Sequence, residues 1–177
     1  VGAVLADVNG EADAGAAYLF GVDANATASA ATKLTDPTPQ AGAEFGSAVS
    51  VAAPWIVVGG PLTDAQGTYD AGSASVYQVE SNGSVAHAAT LSPDSLDLAM
   101  EAHFGYAVAV DGNRALVGAP GSSSLAGAAY LFDLNGSGQP TSVTKISPAD
   151  GATGDDFGAA VSLSGTHLTV GAPGADQ

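Results

Sequence analysis

The side chains here that could do chemistry are carboxylates, set in short alternations with amides around a glycine. Asp7, Asn9, Glu11 and Asp13 alternate about Gly10, and Asp64 and Asp70 hold the matching places in Asp64-Ala65-Gln66-Gly67-Thr68-Tyr69-Asp70. Oxygen ligands at every second residue, with glycine at the bend, are the opening pattern of a calcium loop, since a hard cation gathers oxygens from a compact turn. The bidentate glutamate that closes such a loop is missing. The competing expectation is a polar turn whose Asp and Asn side chains cap their own backbone. Asp7, Asn9, Glu11, Asp13, Asp64 and Asp70 are thus the candidate Ca2+ ligands, with the capped turn as the alternative. The third copy of this stretch has only Ser122-Ser123-Ser124-Leu125.

Other chemistry is sparse. Asn25-Ala26-Thr27, Asn82-Gly83-Ser84 and Asn135-Gly136-Ser137 are glycosylation acceptors by pattern. Asn-Gly is also a favoured hairpin pair, which explains Asn82 and Asn135 as turn residues but not Asn25. His87, His103 and His167 have no Ser-His-Asp or metal-ligand spacing. The Asp155-Asp156 pair could serve a hydrolase, though a solvated loop accounts for it more simply. Trp55 and Tyr69 could stack on sugars, but single aromatics at strand ends usually pack. With no catalytic constellation, the chain is expected not to be an enzyme.

The charge balance excludes some partners. In 177 residues there are 18 acids and 3 bases, a formal charge of −15, and this disfavours nucleic acid and anionic membranes. It also hints at a salty environment, where self-repulsion is screened. There is no Cys, so disulfides and thiolate sites are absent. At 46% hydrophobic the chain is expected to fold, and no apolar run reaches the ~20 residues of a membrane helix. The first residue is Val with no leader pattern, which suggests a processed chain or an excerpt.

The elements that position these residues come from a repeat. Phe45-Gly46-Ser47-Ala48-Val49, Phe104-Gly105-Tyr106-Ala107-Val108 and Phe157-Gly158-Ala159-Ala160-Val161 match, and each leads to Val58-Gly59-Gly60-Pro61, Val117-Gly118-Ala119-Pro120 or Val170-Gly171-Ala172-Pro173. A third block recurs from Gly15, Gly72 and Gly127. Phe to second-block Gly is always 14 residues, and third-block Gly to a later apolar residue (Leu34, Leu91, Ile146) always 19, while the other connections vary in length. Period-two alternation makes these blocks strands, and Asp111-Gly112-Asn113 is a hairpin turn. Four short strands per repeat, near 50 residues, describe blades of an all-β propeller.

The Phe-Gly start and Gly-Ala-Pro end resemble the FG-GAP repeat, the blade unit of integrin-alpha-type β-propellers and of many microbial surface proteins. In integrin-type blades an Asp-rich calcium loop joins these two strands. Here the connection is a tight hairpin (Ala52-Ala53-Pro54, Asp111-Gly112-Asn113, Ser164-Gly165-Thr166), so that site is not carried over. The chain divides as residues 1–44, the second half of a blade; 45–103 and 104–156, whole blades; and 157–177, a first half. Residues 1–8 align with 170–177, Asp7 matching Asp176, and three blades fall below the usual minimum of about four. A segment of a larger propeller is therefore expected, and the rival is a head-to-tail oligomer joined through the terminal half-blades.

In a four-stranded meander, alternate connections lie at alternate ends. The Asp7–Asp13, Asp64–Asp70 and Gly121–Leu125 loops should then share a face with the connections Asp36–Glu44, Asp94–Glu101 and Asp150–Asp156. All acids but Asp23, Glu80, Asp111 and Asp133 fall there, while Lys33, Arg114 and Lys145 lie on strands. The resemblance implies that this is the ligand-binding face. The expected role is a non-catalytic extracellular or cell-surface module for adhesion, binding a protein or glycan through acidic loops and bearing sugar if the sequons are used. The alternatives are a structural repeat of a filament or coat, and a polysaccharide-acting propeller hydrolase or lyase.

Overall fold

A computed structural model describes residues 1–93, 99–122 and 126–175. Their thirteen strands form four antiparallel sheets in chain order. The first holds β1 (Gly2–Ala3), β2 (Ala16–Leu19) and β3 (Thr32–Leu34). The second holds β4 (Ala48–Ala52), β5 (Trp55–Gly60), β6 (Ser73–Val79) and β7 (Val85–Leu91). The third holds β8 (Ala107–Asp111), β9 (Arg114–Ala119), β10 (Ala128–Leu134) and β11 (Pro140–Ile146). The last is the hairpin β12 (Ala160–Ser164) and β13 (His167–Gly171). Each sheet is a meander of neighbours in sequence. The architecture is all-β, a set of propeller blades.

Turn chemistry sets the hairpins. Asp111 and Arg114 close the β8–β9 ladder around Gly112, whose φ of 53° suits a tight turn. Ala52 and Trp55 close β4–β5 in the same way, with Ala53–Pro54 in the cis form at the bend. One expectation shifts. The Phe-Gly pair lies outside the strand it introduces, because Gly105 takes a left-handed φ of 94°, and β8 begins only at Ala107.

That kink joins the blades. Phe45, Phe104 and Phe157 form isolated parallel bridges to Gly15, Gly72 and Gly127 of the preceding sheet, and their amides donate to Ala14, Ala71 and Ala126 at 3.0–3.1 Å. The glycine after each Phe presses its carbonyl onto the previous sheet's second strand. A Cβ on Gly2, Gly59 or Gly118 would lie 1.8, 1.9 and 1.9 Å from the oxygens of Gly46, Gly105 and Gly158. Only glycine fits there. The small residues of the sequence are thus the means of close blade stacking.

Larger side chains fill what remains. Phe104 is fully buried, 5.5 Å from the Tyr130 ring and 6.0 Å from Phe132, with Trp55 and Val57 of the preceding blade in the same cluster. Phe45 and Tyr77 meet edge to face at 6.4 Å in a second cluster. The first strands β4, β8 and β12 also contact one another in succession, and the Val110 amide donates to Ser50 Oγ across that seam at 3.1 Å.

Candidate functional site

The acidic loops are built as miniature turns. Val8 and Glu11 exchange backbone hydrogen bonds around Asn9 and Gly10, at φ of 55° and 95°. Ala65 and Thr68 do the same around Gln66 and Gly67. In both, the leading Asp accepts from a later amide of its loop: Asp13 N to Asp7 Oδ1 at 3.1 Å, and Asp70 N to Asp64 Oδ1 at 3.0 Å. Asp13 and Asp70 themselves sit at positive φ. This is the capped-turn geometry, repeated faithfully in two repeats. Asp7, Asn9, Glu11 and Asp13 are exposed, as is Asp64, with Asp70 half-buried. Among the described residues no group of three or more His, Asp or Glu side chains is placed to hold a metal ion. Ser123–Leu125 of the third loop lie outside the described residues, as do Asp94, Asp97 and Asp176.

Loops from adjacent sheets are tied to one another at this end. Gln40, between the first two blades, clamps Asp64 twice, donating from Nε2 to its carbonyl at 3.0 Å and accepting from its amide at 2.8 Å. Gly42 N donates to Ala12 O, Glu101 N to Tyr69 O and His103 N to Asp70 O. Second-to-third loops and blade-to-blade connections therefore form one continuous surface.

Two clefts open along it. The first, ≈ 490 Å³, is lined by Glu11, Gln40, Asp64, Tyr69 and Asp70. The second, ≈ 350 Å³, lies one blade further on, between Glu101, His103, Tyr106 and Asp156 with Pro120 and Pro173. Tyr69 is 56% and Tyr106 50% exposed, so each cleft has an open aromatic ring beside carboxylates. The Asp70 carboxylate holds the Tyr69 hydroxyl above its ordinary range, first by its charge and then as a hydrogen-bond acceptor, with Asp64 and Glu101 adding to the effect. The phenol stays neutral and the carboxylates face solvent. Such a surface suits cations and hydrogen-bond donors.

Glu44, His103 and Asp156 occupy one repeat position, directly before the Phe, and all three have left-handed φ values of 53°, 52° and 55°. Sequence reasoning took this position for variable surface. The shared backbone state instead aims a polar side chain at each seam, and His103 and Asp156 both line the second cleft. The recurrence of a polar residue before each Phe was the available signal.

The remaining candidates are dispersed. Asn82 Oδ1 accepts from Ser84 N, and Asn135 Oδ1 from Ser137 N and Gln139 N, so both sequons are locked turns. At Asn25 it is Asp23 that caps the turn, accepting from the Asn25 and Thr27 amides at 2.8 Å. All three Asn are exposed. Asp155 is buried and accepts from Ala152 N, whereas Asp156 is exposed. Trp55 is 1% exposed and purely internal, unlike Tyr69. At the opposite end Asp133 binds Arg114 at 3.0 Å and Ser142 Oγ at 2.7 Å. These two contacts, Ser142 first, hold its carboxyl below the usual range.

No curated protein matches the chain. The family model of the FG-GAP repeat, however, matches residues 29–77, 89–132 and 140–177. Those three spans take in both four-stranded sheets, the Phe-Gly seams and the Gly-Ala-Pro strand ends, and they cover most of the sequence. The chain belongs to the FG-GAP repeat family.

Proposed function

We propose that this protein is a non-catalytic recognition module that binds a protein or glycan partner through its acidic loop face, as an adhesion or ligand-binding segment of a cell-surface or extracellular protein. The observation that carries the reading is the pair of clefts at successive blade seams, each setting an exposed tyrosine among carboxylates. Loops held on a rigid scaffold are the usual place for recognition, and aromatic rings add contact area at small entropic cost. The chemistry favours a partner bearing Lys or Arg side chains, or sugar hydroxyls that donate to carboxylates. Cation bridging through the Asp7–Asp13 and Asp64–Asp70 loops belongs to the same reading, since their outward oxygens are free to add a ligand.

The test compares the chain with an Asp64→Asn/Asp70→Asn/Glu101→Gln variant and with Tyr69→Ala in binding to arrays of basic proteins and glycans. Binding that weakens about tenfold or more in both variants, and falls with salt, supports the reading. Binding left intact in both would end it. Turnover of any glycan on the array would return the enzyme alternative.

A further inference from the structure

Two surfaces of this molecule are bare where its own repeats are covered. On the side of β4 facing the first sheet, Val49 and Val51 are 41% and 61% exposed. Their repeat equivalents on β8 are Val108, packed against the main core, and Val110, 6% exposed with its amide bonded to Ser50 Oγ of the preceding blade. Val49 and Val51 flank an apolar groove of ≈ 80 Å³ whose other walls include Ala17, Leu19, Leu34 and Ile56. The second bare surface is the outer face of β12–β13. A Cβ on Gly171 would meet nothing nearer than the Ala160 side chain at 3.3 Å, whereas Gly2, Gly59 and Gly118 are each pressed by the next blade's carbonyl. Ser162 and Thr169 on that face are exposed, and Ser162 holds the repeat position of Ser50.

We propose that a second copy of this chain docks here head to tail, β12–β13 of one protomer seating against β4 of its partner. The chain itself shows the fit, since β4 against β8 and β8 against β12 are two internal examples of the same interface. By repeat equivalence, Gly171 of one protomer comes under the Gly46 carbonyl of its partner, and Ser162 Oγ accepts from the partner's Val51 amide. β13 takes the place of β1, whose two residues pair with Ala17 and Ala16. Following the β9–β10 register, β13 adds Thr169 opposite Leu19 and Leu168 opposite Phe20. Strands β2, β4, β12 and β13 carry no acidic residue, so the −15 charge is kept off the joint. The interface is heterologous, and copies add in series as a ring or filament.

The experiment measures mass by light scattering and sedimentation over rising protein concentration in salt. The wild-type chain is expected to assemble beyond the monomer. Val51→Asp and Gly171→Ala each alter one bare surface, and both are expected to keep the wild-type circular dichroism and to stay monomeric. The decisive sample is their mixture. It retains one intact pair of surfaces and should give a 1:1 dimer and nothing larger. A wild-type chain that stays monomeric throughout overturns the proposal, as does a mixture that forms no dimer. Assembly lost in Asp64→Asn/Asp70→Asn but kept in Val51→Asp overturns it too, by placing the joint on the loop face.

Discussion

Adding a single methyl group at Gly118 tests the account of blade stacking. The new Cβ would stand 1.9 Å from the Gly158 oxygen and 2.9 Å from its carbonyl carbon. Ordinary contact begins near 3.4 Å, so the carbonyl must retreat by roughly 1.5 Å, a shift far beyond side-chain adjustment. It is not free to do so, because the Gly158 amide is tied to Gly171 O at 2.9 Å and the Phe157 amide to Ala126 O at 3.1 Å. Overpacking typically costs 1–3 kcal/mol, and a rigid backbone obstacle places Gly118→Ala at about 3 kcal/mol. For a chain of this size that lowers Tm by about 6–12 °C. Gly136→Ala is the control, since it meets nothing within 4 Å and should change stability by less than about 0.5 kcal/mol. Urea unfolding followed by the fluorescence of buried Trp55 reads both. If Gly118→Ala lost less than about 1 kcal/mol, or no more than Gly136→Ala, the carbonyl contact would not be what sets the blade spacing.

Tyr77 is buried and donates to Thr35 O at 2.6 Å, and burial pushes its hydroxyl well above the usual range. Tyr77→Phe leaves that carbonyl unpaired and should cost about 1–2 kcal/mol in the same urea assay. His87 packs edge-on to Tyr77 at 5.3 Å, and although it is exposed overall this partial desolvation lowers its pKa, against a smaller opposing pull from Asp36. The unfolded chain therefore takes up the proton first. The contribution is full above the unfolded value of about 6.5, declines as pH falls below it, and levels off past the folded pKa. Stability measured from about pH 7 to pH 5 should show this decline in the wild type and a shallower one in His87→Gln.

The strands were legible because hairpins preserve length. The constant steps from Phe45, Phe104 and Phe157 to Gly59, Gly118 and Gly171 are the β4–β5, β8–β9 and β12–β13 hairpins. What the alternation pattern hid was the kink at Phe-Gly, since a left-handed φ at Gly105 leaves no trace in side-chain periodicity. The clefts were harder still to foresee. They depend on pairs such as Gln40 with Asp64, 24 residues apart and in different repeats, and on a backbone state shared by Glu44, His103 and Asp156, whose side chains have little in common. Composition located the acidic face, but only cross-blade contacts give it concave shape.

The seam between blades is written mostly in main-chain atoms: a phenylalanine amide, a glycine carbonyl, and a facing glycine with no side chain. Any two units that keep those few positions will fit one another, whatever loops they carry. Duplication or recombination can therefore reshuffle, add or delete units without redesigning a junction, and each inherited loop pair arrives in a ready-made cleft. Novelty in binding and conservation of architecture are thereby assigned to different atoms of the same short segment.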